Sequence, residues 1–192
     1  MTREDEDSIL IQRCLEGDSG NFRPIVEKYQ GRLYRVIYGV VLDREAARDL
    51  AQEAFIKAYR SLHGFKGGSR FYTWLYRIAF NLALDFRKKK FKEFSVEYED
   101  DWKQETAASF PNQRSERPDR RLMRAELYEK ILEGLETLTP LQRTAILLRE
   151  WEGCSYREIS RIMNSSKGTV MSRLHYARDK LRKHLEKYLE EK

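Results

Sequence analysis

The chain has 192 residues, 41% hydrophobic and 35% charged, and its 37 Lys and Arg exceed its 31 Asp and Glu by a net +6. That length suits one ordinary domain or two small ones with thin cores, and the abundance of Ala, Leu, Glu, Lys and Arg with only four prolines predicts an all-α protein. Cys14 and Cys154 have no CxxC partner or ligand-spaced His, and no apolar run approaches a membrane span, so a disulfide scaffold, a metal site, export and membrane insertion are all unexpected and a cytoplasmic location is expected.

The acidic N-terminus leads into a short helix around Ile9 to Leu15, ended by Gly17. A second helix follows from the spacing of Phe22, Ile25, Val26, Tyr29, Leu33, Val36, Ile37 and Val40, which fall on one face. Asp43 is placed to cap a third helix, from Arg44 to about Leu62, with Ala47, Leu50, Ala51, Ala54 and Ala58 inward. On its opposite side Asp49, Gln52, Glu53 and Ile56 recur at offsets 0, 3, 4 and 7. That face reads either as a docking site for a basic protein partner or as ordinary solvated surface.

Three glycines between His63 and Ser69 demand a loop, after which a fourth helix runs from about Arg70 to Lys90. Phe71, Leu75, Ile78, Leu82 and Phe86 form its expected buried face, with Tyr72 also in the core. Thr73, Trp74, Arg77, Asn81 and Lys88 gather on another face, next to Phe65, Lys66, Ser69 and Arg70 of the loop. Aromatic rings stack on unpaired bases and cations follow the backbone, so this surface resembles a platform for single-stranded nucleic acid, the competing reading being that Trp74 fills the core.

Charge is distributed in blocks. Lys57 to Lys92 holds ten basic residues against Asp85, Glu93 to Asp119 holds eight acids against three bases, and Ser166 to Lys183 holds six bases against Asp179. The aperiodic acidic stretch at 92–118 reads as a flexible linker between an N-terminal domain at 1–91 and a C-terminal domain at 119–192, rather than as an irregular loop within one domain.

Beyond it a helix spans Leu122 to Leu138, with Met123, Leu127, Ile131 and Leu135 on one stripe. Thr139, Pro140 and Gln142 then supply a capping box with proline at the first helical position, and this helix ends at Trp151-Glu152-Gly153. A second capping box, Ser155 with Glu158, opens a short helix to Met163, and the turn at 164–168 leads into a long basic helix. The pair, about 155–178, is a helix-turn-helix signature, against the plainer reading of a solvated helical hairpin. On its second helix Val170, Leu174, Ala177, Leu181 and Leu185 face inward, while Met171, Ser172, His175, Tyr176 and Asp179 point outward towards base edges. Arg173, Arg178, Lys180, Arg182 and Lys183 flank them for phosphates, and Ser155 and Thr169 complete the candidate contacts.

Asp49-Leu50-Ala51-Gln52-Glu53-Ala54-Phe55-Ile56-Lys57-Ala58-Tyr59, followed by Phe71-Tyr72-Thr73-Trp74-Leu75-Tyr76-Arg77-Ile78-Ala79 and Asn81, resembles region 2 of the extracytoplasmic-function sigma factors of RNA polymerase, nearest the envelope-stress sigma E group. Leu138-Thr139-Pro140 through Arg178 resembles their region 4. The resemblance implies that Asp49, Gln52, Glu53 and Ile56 bind the clamp helices of the largest subunit of core RNA polymerase, with the flap of the second largest subunit as a further contact. It implies that Phe65, Lys66, Ser69, Arg70, Thr73, Trp74, Arg77, Asn81 and Lys88 hold the non-template strand of the minus-10 element and capture a flipped base. It implies that the helix from Ser166 reads the duplex minus-35 element, that the acidic linker threads through the polymerase, and that an anti-sigma factor holds the protein inactive in a stress response.

A 28-residue stretch from Phe91 to Pro118 extends to about 90 Å, against about 70 Å between elements two helical turns of a duplex apart. Met171 and Tyr176 stand where the sigma E group tends to have arginines, which removes bidentate guanine contacts, and Gly68 replaces an acid common in the minus-10 loop. The rival expectation is a helix-turn-helix regulator that acts on duplex operators without joining polymerase. An enzyme is not expected: His63, His175 and His184 are scattered, no nucleophile, carboxylate-pair or phosphate-loop motif occurs, and no cofactor is implied.

Overall fold

A computed structural model describes residues 3–94 and 118–190, which form eight α-helices with no strand among them. Most of the acidic linker expected at 92–118 lies outside the described residues.

Helix α1 (Arg3–Leu15) starts earlier than its apolar residues predict, because an acid in its first turns is buried. Asp7 is 5% exposed, takes the Lys28 ammonium at 2.6 Å and accepts the Tyr29 hydroxyl at 2.5 Å. This pins α1 to α2 (Phe22–Val41), and burial together with the Asp7 bond pushes the Tyr29 phenol far above its ordinary pKa. Helix α3 (Arg44–Arg60) begins as its sequence predicts, with the Asp43 carboxylate accepting from the Ala46 amide. Its small residues Ala47, Ala54 and Ala58 are fully buried and let it lie close against α2 and α4.

Helix α4 (Phe71–Phe94) is central to the N-terminal unit and runs four residues past the Lys90 expected as its end. One buried stripe was expected on it; the structure buries more. Tyr76, Ala79, Phe80 and Ala83 are at most 1% exposed, whereas Ile78, Leu82 and Phe86 are only half-buried. The reason is that α4 packs against α2, α3 and an element of the C-terminal unit at once, so its apolar surface is wider than a single seam.

The C-terminal unit consists of α5 (Pro118–Glu136), α6 (Pro140–Ile146), α7 (Tyr156–Ile162) and α8 (Lys167–Glu190). Both predicted capping boxes form, Thr139 with Gln142 and Ser155 with Glu158. Helix α5 crosses α8 at Gly134, where a Cβ would come within 3.0 Å of Leu181 and His184. Leu127 departs from the expected stripe, being 41% exposed. Arg143, 3% exposed, fastens the α5–α6 corner by donating to the carbonyls of Leu135, Glu136 and Leu138. Burial lowers its pKa to about 10, although the nearby Glu136 carboxylate opposes the shift.

Helix α6 does not continue to Trp151 as a regular helix. It widens into a π turn, Leu147–Trp151, and the chain then reverses at Gly153 with φ of 68°. That local geometry turns Glu152 towards the N-terminal unit. The two units are docked, with α6 and the π turn on α2 and α7 on α4, and their buried residues form one continuous cluster.

Candidate nucleic-acid and protein interfaces

Three surfaces predicted from sequence can be located. On α3, Asp49, Gln52, Glu53 and Ile56 are all exposed while the alanines behind them are buried. Ile56 is 44% exposed and the adjacent Tyr59 43%, so the acidic face also carries apolar surface. Tyr59 is partly held by an edge contact with Phe22, 5.1 Å between ring centroids.

The second surface lies on the loop before α4 and on α4 itself. Trp74, Arg77, Asn81 and Lys88 follow one stripe of the helix, with Arg77, Asn81 and Lys88 exposed and Trp74 half-buried. The Trp74 ring sits 5.4 Å from Phe65 and 5.7 Å from Phe71, in tilted contacts. Phe65 in turn meets Phe71 edge to face at 5.6 Å. These three rings fasten the glycine loop to the helix, so Phe65 anchors the loop and Trp74 keeps part of its surface open. Lys66 and Arg70 are exposed, Ser69 is half-buried, and Lys88 lies 3.8 Å from the Asp85 carboxylate.

Two residues of this helix depart from expectation. Thr73 is 2% exposed, and its hydroxyl has no hydrogen-bond partner among the described residues, so it does not share the open face with Trp74 and Arg77. The face expected for it fails because α4 is enclosed on more than one side. Tyr72, expected in the core, donates instead to Glu158 of α7 and accepts from Arg70 at 3.1 Å. Burial, then the bond to Glu158, pushes the Tyr72 phenol up to about 12.

The third surface is the helix-turn-helix formed by α7 and α8. Ser160 donates to the Ser165 carbonyl at 2.6 Å, Asn164 turns the chain with φ of 45°, and Ser166 caps α8 by accepting from the Thr169 amide. Val170, Leu174 and Ala177 are fully buried, as their spacing predicts. Met171, Ser172, His175 and Tyr176 are exposed, Met171 by 52% and Tyr176 by 58%. His175 and Tyr176 meet edge to face at 5.6 Å. Thr169 is exposed with its hydroxyl 2.8 Å from Ser166 Oγ, and Arg173 is half-buried. Arg178 is held by Glu150 at 2.7 Å and Lys183 by Asp179 at 2.9 Å, both as exposed pairs that phosphates can displace. Ser155 is spent on the α7 cap, accepting from the Glu158 amide and donating to its carboxylate. Together with Arg149, Arg157 and Arg161 it lines a cleft facing Ser69 and Arg70.

Sequence reasoning missed the polar contacts between the units. Glu152, with a side chain 1% exposed, accepts from Arg35 at 2.9 Å and from the Tyr76 hydroxyl at 2.7 Å, with Arg32 at 3.5 Å. Arg161 donates to the Gly68 carbonyl and Arg143 to that of Gly39. Burial and the acidic neighbours Glu158 and Glu152 push the Cys154 thiol up to about 12, leaving it unreactive at neutral pH. Among the described residues no cluster suited to a metal ion occurs, and no helix is long and apolar enough to cross a membrane.

The family model of Sigma-70 region 2 matches residues 25–92, and that of Sigma-70 region 4 matches 128–181. The RNA polymerase sigma-H factor of Pseudomonas aeruginosa is 39% identical over the whole of both chains. The ECF RNA polymerase sigma-E factor of Escherichia coli K12 is 35% identical, covering 93% of this chain and 94% of its own. Among solved structures, the sigma factor RpoE of Bartonella quintana, in complex with the anti-sigma factor NepR, superposes with a TM-score of 0.71 at 25% identity, covering 86% of this chain and 97% of its own. With both region models matched in order and relatives aligned from end to end, the chain belongs to the extracytoplasmic-function group of RNA polymerase sigma factors.

Proposed function

We propose that this sigma factor divides promoter recognition among its three surfaces. Asp49, Gln52, Glu53 and Ile56 dock on the clamp helices of core RNA polymerase, where an acidic rim around an exposed isoleucine suits a basic partner with an apolar centre. Trp74, Arg77, Asn81 and Lys88, with Lys66, Ser69 and Arg70, hold the non-template strand at minus 10. The half-open Trp74 ring stacks a base while the cations follow the phosphates. Thr73 acts from beneath, as part of the helix that carries the platform. Met171, Ser172, His175 and Tyr176 read the minus-35 duplex, with Arg173, Arg178 and Lys183 on the backbone.

Residues 1–91 then work as region 2, 119–192 as region 4 and 92–118 as the tether between them. The protein is read as non-catalytic and cytoplasmic, and as subject to an anti-sigma factor like the one bound to the Bartonella relative. The observation that carries the reading is the exposure of both predicted faces, on α3 and on α8, in helices whose other sides are fully buried. Runoff transcription with core polymerase on a genomic promoter library tests it. Specific transcripts that require this chain are expected, and their absence with active core enzyme would overturn it.

A further inference from the structure

The cleft between the glycine loop and α7 gathers positive charge that the fold does not neutralise. Arg70 enters it from the start of α4, Arg149 from the π turn, and Arg157 and Arg161 from α7. Glu158 is the one carboxylate among the lining residues, and it is already engaged by Tyr72, by the Ser155 amide and, at 3.7 Å, by Arg70. Four arginines against one carboxylate leave an excess of three positive charges around a space of about 430 Å³. Exposed cations nearby are paired, Arg178 with Glu150 and Lys183 with Asp179, whereas Arg149, Arg157 and Arg161 have no ion pair among the described residues. Like charges converging in this way repel one another and are relieved by an anion.

The guanidinium groups are also held in place. Arg149 donates to the Cys154 carbonyl at 3.0 Å and lies over the Tyr156 ring, 5.2 Å from its centroid. Arg161 donates to the Gly68 carbonyl, and Arg70 to the Tyr72 hydroxyl at 3.1 Å. A guanidinium carries five donors in a rigid fork that matches phosphate oxygens, and Arg149 and Arg161 each spend one on its anchor. Their remaining donors are therefore fixed at little further entropic cost to a ligand.

We propose that this cleft is a binding site for a small diphosphate-bearing anion. One phosphate group carries at most about two negative charges, too few to balance the excess, so two linked phosphates fit better than one. A water occupies about 30 Å³, so the volume admits a diphosphate with several waters. A duplex, whose major groove alone is about 12 Å wide, is too large to enter between the glycine loop and α7. Binding there draws Arg70 away from the minus-10 platform; that consequence rests on the functional reading above, whereas the site itself does not.

Calorimetric titration of the full chain with inorganic pyrophosphate at physiological salt tests the site without polymerase, so its failure is distinct from failure of the promoter reading. Saturable one-to-one binding is expected, with orthophosphate weaker. Arg149→Gln and Arg157→Gln are each expected to weaken it roughly tenfold. Arg157 is exposed and has no contact to lose, so its variant keeps the test independent of any misfolding caused at Arg149. Arg13→Gln, which removes an exposed charge from α1, is expected to change nothing. Absence of saturable binding would overturn the proposal, as would orthophosphate binding equally well or an equal loss in Arg13→Gln. Displacement of pyrophosphate by a stoichiometric random-sequence duplex would assign the arginines to the DNA backbone and overturn it too.

Discussion

Replacing Trp74 by alanine separates a structural role from a DNA-binding one. The ring makes two tilted aromatic contacts, at 5.4 Å with Phe65 and 5.7 Å with Phe71, and is half-buried. A fully buried Trp→Ala change costs about 3–5 kcal/mol, so half burial puts the loss of region 2 stability near 2 kcal/mol. Stacking of one unpaired base adds a separate loss of about 1–3 kcal/mol that falls only on the opened complex, a factor of roughly five to 150 in the opening equilibrium. Permanganate reactivity of promoter thymines reports opening and gel shift in the cold reports closed-complex binding, both at a temperature where circular dichroism shows the variant folded. Opening is expected to fall by at least about fivefold with closed-complex binding within about twofold, and Trp74→Phe is expected to recover most of the loss. Equal losses in both assays would leave Trp74 as a core residue with no contact to the opened strand.

Tyr176→Ala, which removes a side chain 58% exposed on α8, is expected to weaken dependence on the upstream promoter element in transcription and leave core polymerase binding unchanged. Asp43→Ala is expected to cost about 1 kcal/mol of region 2 stability at neutral pH, measured by denaturant unfolding. The Ala46 amide, aided by Lys90, holds the Asp43 carboxyl below its ordinary pKa. Its contribution is therefore present above the ordinary carboxylate range and lost as pH falls through the lowered value, and the difference between the two proteins is expected to shrink in acid. The Tyr72 phenol is raised from 10.0 to about 12, so the neutral form is favoured by docking. Its stabilisation is complete below the ordinary value and lost as pH rises across that window, and Tyr72→Phe is expected to flatten the corresponding loss of stability in denaturant unfolding.

What the chain revealed in advance was local. Asp43, Thr139 with Gln142, and Ser155 with Glu158 act within one helical turn, so residue type and spacing suffice to place the ends of α3, α6 and α7. The inward row Val170, Leu174 and Ala177 was equally legible, because the opposite face of α8, with Met171, His175 and Tyr176, is exposed. Helix α4 resisted the same treatment. It packs against α1, α2, α3 and α7, so Thr73 and Phe80 are buried outside the stripe that periodicity picks out. Glu152 resisted for a different reason: its partners Tyr76 and Arg35 lie 76 and 117 residues away in sequence, and a lone acid before a glycine carries no local sign of them. Two arginines spaced three apart on α2 and two tyrosines spaced four apart on α4 were the available signal, recognisable only once the units are seen together.

This chain delivers RNA polymerase to promoters, and the affinity of the purified protein for core polymerase is the decisive readout, with Glu53→Arg as the matched control. Glu53 is exposed on α3. Saturable binding by the wild type is expected, and placing a cation against the basic partner face is expected to weaken it by roughly a hundredfold. A wild type that captures no core enzyme, or a Glu53→Arg protein that binds equally well, would contradict the account.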